Sequence, residues 1–215
     1  MVQMIHRITI AGSLFLAMTL APMALAEGED VARGEALFKT CTPCHGTVGE
    51  GRDYATAPSV AGLPQWYVEA QIMKFQTGAR GAHPADLDGL RMRPMSRALF
   101  GDEDRAAVAA YIGQLPPVAS AHSVDGDAEK GKALYIPCIA CHGPEGQGNQ
   151  ALGGPPLTNM TDWYLESSIH KFKDGLRGAD ASKDPSGALM RTMAMTLTND
   201  QAVRDVVAYL RTLGN

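Results

Sequence analysis

Cys41-Thr42-Pro43-Cys44-His45 and Cys138-Ile139-Ala140-Cys141-His142 decide how this chain is read, and together they use all four of its cysteines. Cys-x-x-Cys alone also suits a thioredoxin-type redox pair or half of a zinc site. A redox pair of that type sits in a βαβ pattern, and no strand-like alternation surrounds either copy. A His directly after the second Cys is poorly placed to bind the same tetrahedral zinc ion. Disulfides would not require His at the same place twice. The pentapeptide reads instead as the attachment sequence of a c-type haem, whose two vinyl groups take the two thiols while the adjacent His reaches the iron. Two covalently attached haem c groups are therefore expected, on Cys41 and Cys44 and on Cys138 and Cys141. His45 and His142 are the expected proximal ligands. Two haems imply electron transfer as the core activity.

The second half of the chain repeats the first. Cys138 and Cys41 are 138 − 41 = 97 residues apart, and that offset extends well beyond the haem motif. Gly34-Glu-Ala-Leu-Phe38 matches Gly131-Lys-Ala-Leu-Tyr135, and Trp66-Tyr67 matches Trp163-Tyr164. Phe75, Gly78, Arg80 and Gly81 match Phe172, Gly175, Arg177 and Gly178. Further on the offset is 98, so that Met92, Met95, Leu99 and Tyr111 match Met190, Met193, Leu197 and Tyr209. An internal repeat of this length means two homologous domains. They are expected over 27–115 and 127–215, joined by a linker over 116–126 that opens on Pro116-Pro117. Domains this small bury little surface by themselves, and a covalent porphyrin would fill much of each core.

The N-terminus carries Arg7, an apolar run from Ile8 to Leu20, a break at Pro22 and the small-x-small site Ala24-Leu25-Ala26. Residues 1–26 read as a secretory signal peptide, which implies export to the periplasm. An uncleaved signal anchor is the alternative, and peripheral membrane association is a possible state. Cleavage leaves 215 − 26 = 189 residues, and loss of Arg7 takes the formal charge from −4 to −5. Haem propionates would add to that. Nucleic acid is excluded as a partner, because it calls for a basic stripe. A redox partner with a basic patch is compatible with the charge.

Each half reads as three helices joined by long loops. Asp30 and Asp127 are the expected N-caps of the first helix in each half. The middle helices are expected from Pro64 to Thr77 and from Thr161 to Asp174-Gly175. The last begin near Asp102 and at Thr198, where Gln201 three residues on suggests a capping box. Val108, Tyr111, Ile112 and Leu115 form one apolar stripe, and Val203, Val206, Val207 and Leu210 the other. The loops are longer than packing alone favours, as wrapping a flat cofactor would require.

The sixth iron ligand must come from outside the haem motif. The repeat narrows it to Met92 or Met95 in the first half and Met190 or Met193 in the second, the other Met of each pair serving as packing. A thioether ligand raises the potential of a His-ligated haem. His83 is a rival for the first iron. Arg80 and Arg177 recur in Gly-x-Arg-Gly and suit either haem propionates or a solvated surface.

These motifs resemble the class I c-type cytochromes, and their tandem arrangement is similar to the diheme cytochrome c4 family over the whole mature chain. The resemblance implies an all-α fold of two tandem class I cytochrome c-like domains, each about three helices wrapped around a covalent haem. It places the ligand Met in a loop, seven residues before a Leu near the last helix. That points to Met92 (99 − 92 = 7) and Met190 (197 − 190 = 7), with Met95 and Met193 as alternatives. It assigns Pro58 and Pro155 the role of orienting the proximal His through their carbonyls, and Gly34 with Tyr111 and Gly131 with Tyr209 a close crossing of first and last helices. The function it implies is a periplasmic diheme carrier, not an enzyme, moving single electrons from a membrane complex or dehydrogenase to a terminal oxidase or reductase. The unequal methionine segments predict two different potentials. A cytochrome subunit of a larger oxidoreductase is one alternative. A diheme peroxidase or a thiosulfate-oxidising cytochrome is another, although the thiosulfate enzymes of this architecture use a Cys ligand and none is spare.

Overall fold

The computed structural model describes residues 21–118 and 123–214, with side chains from residue 30 onward. Most of the expected signal peptide, residues 1–20, and the middle of the expected linker lie outside the described residues. In the first half α1 is Ala21–Phe38, α2 Thr42–His45, α3 Gln65–Thr77, α4 Leu87–Arg97 and α5 Gly101–Gln114. The second half repeats them as α6 Ala128–Tyr135, α7 Ile139–His142, α8 Asp162–Lys173, α9 Pro185–Ala194 and α10 Asp200–Leu213. Among the described residues the β-structure amounts to isolated bridges, Arg52 with Ala57 and Asn149 with Gly154. No described helix is long and apolar enough to cross a membrane.

The first and last helices of each half pack together, α1 on α5 and α6 on α10. A glycine makes each crossing possible. A Cβ on Gly34 would lie 2.0 Å from the Ala107 carbonyl oxygen, and one on Gly131 would lie 1.9 Å from that of Asp205. Beside these contacts Phe38 stacks at 5.4 Å on Tyr111, and Tyr135 at 5.6 Å on Tyr209. The expected stripes face inward: Val108, Ile112, Val203, Val206, Val207 and Leu210 are all buried.

Three local expectations are corrected. Asp30 caps nothing, because α1 runs through it from Ala21, where alanine-rich sequence of high helical propensity continues the helix upstream. Asp127 does cap α6, accepting from the backbone N–H groups of Glu129 and Lys130 at 3.1 Å each. At α10 the cap is Asn199, whose side chain accepts from Ala202 N–H at 2.9 Å, so Thr198 forms no capping box. Gln201 instead donates to Asp205 at 2.8 Å. The methionine segments, expected as loops, are the helices α4 and α9. Asp86 caps the first by accepting from Gly89 N–H at 3.1 Å, and Asp184 the second by accepting from Gly187 N–H at 2.7 Å.

The chain entering the second half is held by one buried carboxylate. Asp162 accepts from Ser123 N–H at 2.7 Å, Ser123 Oγ at 2.8 Å, Val124 N–H at 3.2 Å and Trp163 N–H at 2.6 Å. Burial pushes its carboxyl up, but these donors hold it below the ordinary value of 3.8. Asp162→Ala is expected to cost the second half about 2–3 kcal/mol near neutral pH, the scale of lost hydrogen bonds to a charged group. A depressed folded-state pKa contributes stability that is complete above the unfolded value and lost as pH falls through the folded one. The stability difference between wild type and variant, read from urea unfolding, should therefore hold from pH 7 to about 5 and shrink at pH values well below 4.

Candidate functional site

The haem motifs fold as single helical turns. His45 N–H bonds Cys41 carbonyl at 2.9 Å, which brings Cys41, Cys44 and His45 onto one short stretch. His45 Nδ1 lies 2.9 Å from the Pro58 carbonyl oxygen, and His142 Nδ1 lies 2.8 Å from that of Pro155. A carbonyl can only accept, so Nδ1 carries the proton in both rings and Nε2 keeps its lone pair for a metal. Burial lowers the pKa of both imidazoles, against the opposing pull of the proline carbonyls. None of the four cysteines is tied up in a disulfide.

Each His opens on a cavity with apolar walls. The first is lined by Phe38, Leu63, Val68, Ile72, Leu99 and Val108, and the second by Tyr135, Met160, Leu165, Ile169, Leu197 and Val206, among others. Their empty volumes are ≈ 1430 and ≈ 1370 Å³, solvent mouths included. Met92 and Met95 line the first cavity together with His45, Cys41 and Cys44; Met190 and Met193 line the second with His142, Cys138 and Cys141. Met95 is 45% exposed, whereas Met92 is half-buried. Met190 packs against the core. His83 is exposed, accepts from Ala85 N–H at 3.2 Å and lies outside the cavity lining.

Arg80 and Arg177 are not solvated surface charges. They are 8% and 7% exposed and meet where the two halves abut. Arg80 donates to Gln71 at 2.8 Å and, across the interface, to the Tyr164 hydroxyl at 3.0 Å. Arg177 donates to Ser168 at 3.1 Å and, across the interface, to Gln71 at 3.4 Å. The guanidinia stack at 4.4 Å on Phe75 and 4.3 Å on Phe172. Among the described residues neither has a carboxylate at ion-pair distance, and Arg80 Nε is buried without a partner. Burial pushes the Tyr164 phenol up, yet the two guanidinia override it and pull it well below the ordinary tyrosine range. This cluster is short of negative charge, and it borders both cavities. Two cysteines outside any disulfide beside an Nε2 lone pair, apolar slots, methionines in the lining and buried cations without a carboxylate partner are what a haem with two propionates requires. The residues present fit that group in both halves.

Reasoning from sequence missed the rest of this interface. Lys74 on α3 pairs with Asp184 at 2.7 Å and donates to Ser186 at 2.8 Å. Lys171 on α8 pairs with Asp86 at 2.7 Å and Asp88 at 3.0 Å. Trp163 Nε1 donates to Asp53 at 2.8 Å, and Ser59 N–H to Thr161 Oγ1 at 3.2 Å. The repeat held the signal, since Lys74/Lys171 stand at offset 97 and Asp86/Asp184 at offset 98. The two cavity mouths differ. Exposed Leu152 and Leu189 line the second. Their counterparts at the first are Ala55 and Arg91.

A sequence model of the cytochrome c family matches residues 31–116 and again 128–214. The chain belongs to the cytochrome c family. It is 36% identical over 177 residues to the thiosulfate dehydrogenase electron acceptor of Thiomonas intermedia, covering 75% of this chain and 73% of that one. The structure of cytochrome c4 from Acidithiobacillus ferrooxidans superposes with a TM-score of 0.66 at 28% identity, over 80% of this chain and 98% of that one. Thiosulfate dehydrogenase TsdBA from Marichromatium purpuratum superposes with a TM-score of 0.68 at 31% identity, over 85% of this chain but 40% of the larger one. This cytochrome is thus a diheme electron carrier of the class I type with two covalently bound haem c groups, each of which supplies reversible one-electron chemistry when bound.

Proposed function

We propose that this cytochrome receives electrons from a dehydrogenase of the thiosulfate-oxidising type and delivers them to a terminal oxidase or reductase, without itself transforming a substrate. The observation that carries this is the completeness of both ligand sets. Each half presents two thiols, a His and a Met pair to one cavity, and the chain has no fifth cysteine to serve as a thiolate ligand or nucleophile. Similarity to an electron acceptor of thiosulfate dehydrogenase supports the choice of donor.

In this reading His45 with Met92, and His142 with Met190, would hold the two irons, and the cysteines would fix the porphyrins. Pro58 and Pro155 set each ring's tautomer and orientation. The apolar walls exclude water, which limits reorganisation when the charge changes. Arg80 and Arg177, buried at the boundary between halves, would supply the positive charge for the propionates. Residues 27–115 and 127–215 are the two carrier units, 116–126 the connection, and 1–26 the segment that directs export to the periplasm.

Arg80→Leu removes a buried positive charge from the lining of the first cavity and is expected to lower the potential of the first haem by on the order of 60 mV, a tenfold change in a one-electron equilibrium. Spectroelectrochemical titration reads this directly. The donor is tested by mixing the purified oxidised cytochrome with thiosulfate, with and without a thiosulfate dehydrogenase. Reduction of both haems only when the dehydrogenase is present is expected. Reduction by thiosulfate alone would make this chain an enzyme, and no reduction in either case would rule out this class of donor.

A further inference from the structure

The two cross-interface lysines make the same contact in opposite directions. Lys171 of the second half reaches Asp86 and Asp88 at the start of α4 in the first. Lys74 of the first half reaches Asp184 and Ser186 at the start of α9 in the second. Asp86 and Asp184 are the N-caps of those helices, fixing the Gly89 and Gly187 amides. The same helices carry Met92 and Met190, each the sixth residue of its helix. Lys171 also lines the cavity of the first half, and Lys74 that of the second. Both carboxylates are nearly enclosed, at 1% and 7% side-chain exposure, against 17% for each lysine. Removing one partner of such a pair leaves a buried charge uncompensated and is strongly destabilising.

We propose that Lys171 is a positioning residue for the methionine of the first haem, and Lys74 for that of the second, so that each half sets the axial ligation of the other. Each lysine acts through the cap. Its ammonium holds the Asp carboxylate, the carboxylate holds the first turn, and the first turn sets where the methionine sulfur stands. The inference rests on the reading that α4 and α9 supply the axial thioethers.

The test uses the full holoprotein with Lys171→Gln, Lys74→Gln and the conservative Lys171→Arg and Lys74→Arg. Three readouts are taken: the potential of each haem, the Met methyl proton resonance of each reduced haem, and amide exchange at Gly89 and Gly187. Haem signals are assigned with Met92→Ala and Met190→Ala. Lys171→Gln should shift the potential and Met resonance of the first haem and speed Gly89 exchange at least about tenfold, leaving the second haem and Gly187 as they were. Lys74→Gln should do the mirror image, and the Arg variants should restore wild-type values. A shift confined to the haem of the lysine's own half, an equal shift in both, or unchanged exchange at the opposite cap would overturn the proposal. Wild type lacking either Met resonance would defeat the ligand reading instead, and Gly89 and Gly187 exchange would still decide whether the lysines hold the caps.

Discussion

Met190→Ala is expected to lower the potential of the second haem by on the order of 0.2 V, within the roughly 0.8 V that axial ligation spans. A thioether favours the reduced iron, and its loss takes that preference away. The site will not close over the gap. Met190 packs against a core that includes Ala194, Leu197 and Val206, and cores relax only partly around a deleted side chain. The sixth position is then open to water or added ligands such as carbon monoxide. A redox titration should show one potential displaced and the other held. The ferric spectrum should lose half of its weak Met–iron charge-transfer band. Met193→Ala, one turn further along α9, should leave both in place. If Met193→Ala produced the loss instead, the ligand would sit one turn from its assigned position.

Gly131→Val is expected to unfold the second half near physiological temperature. The new Cβ would stand 1.9 Å from the Asp205 oxygen and 2.5 Å from its carbonyl carbon. Both are backbone atoms of α10, so no rotamer change relieves the clash. The helices must separate, which loosens the Tyr135–Tyr209 stack and the bond from Asp127 N–H to Asp205. Overpacking of a tight core typically costs about 1–3 kcal/mol, and a backbone clash belongs at the top of that range. For a domain of this size about 3 kcal/mol lowers the melting temperature by roughly 12–24 °C. Lys132→Val, on the exposed neighbouring position, should barely move it. Valine is a better helix former than glycine, so a fall in melting temperature measured by calorimetry for Gly131→Val alone reports packing.

What could be read from the residues was whatever repeats or has a fixed local period. Two Cys-x-x-Cys-His motifs, a constant offset and two valine-rich stripes led to two helical haem-binding halves. The first methionine helix is hidden because Arg91-Met-Arg-Pro-Met95 is broken up by charge and contains Pro94. Both methionine helices start at an Asp cap that pairs with a lysine of the other half. The sequence leaves Arg80 and Arg177 open between propionate partners and surface charges for a related reason. Each packs on a Phe of its own half and also bonds a side chain of the other. Contacts between halves leave no periodicity in either, so they appear only when equivalent positions are compared for charge. Asp30 shows the opposite failure, a good cap residue in a helix that had already begun.

The exchange of roles between Lys74–Asp184 and Lys171–Asp86 has a consequence for how such a molecule keeps its halves together. A surface that meets its own equivalent through a two-fold relation is the surface of a homodimer. Two separate halves would have to find each other at a rate set by their abundance. Carried on one polypeptide, with about ten residues between them, they face each other at an effective concentration on the order of millimolar. Dilution in a crowded or an emptied compartment then has no hold on the pairing. The covalent link also frees the two sides to drift apart, since neither must remain complementary to itself. Asp88 answers Lys171 with a carboxylate where Ser186 answers Lys74 with a hydroxyl, and that inequality is one a strict homodimer could never keep.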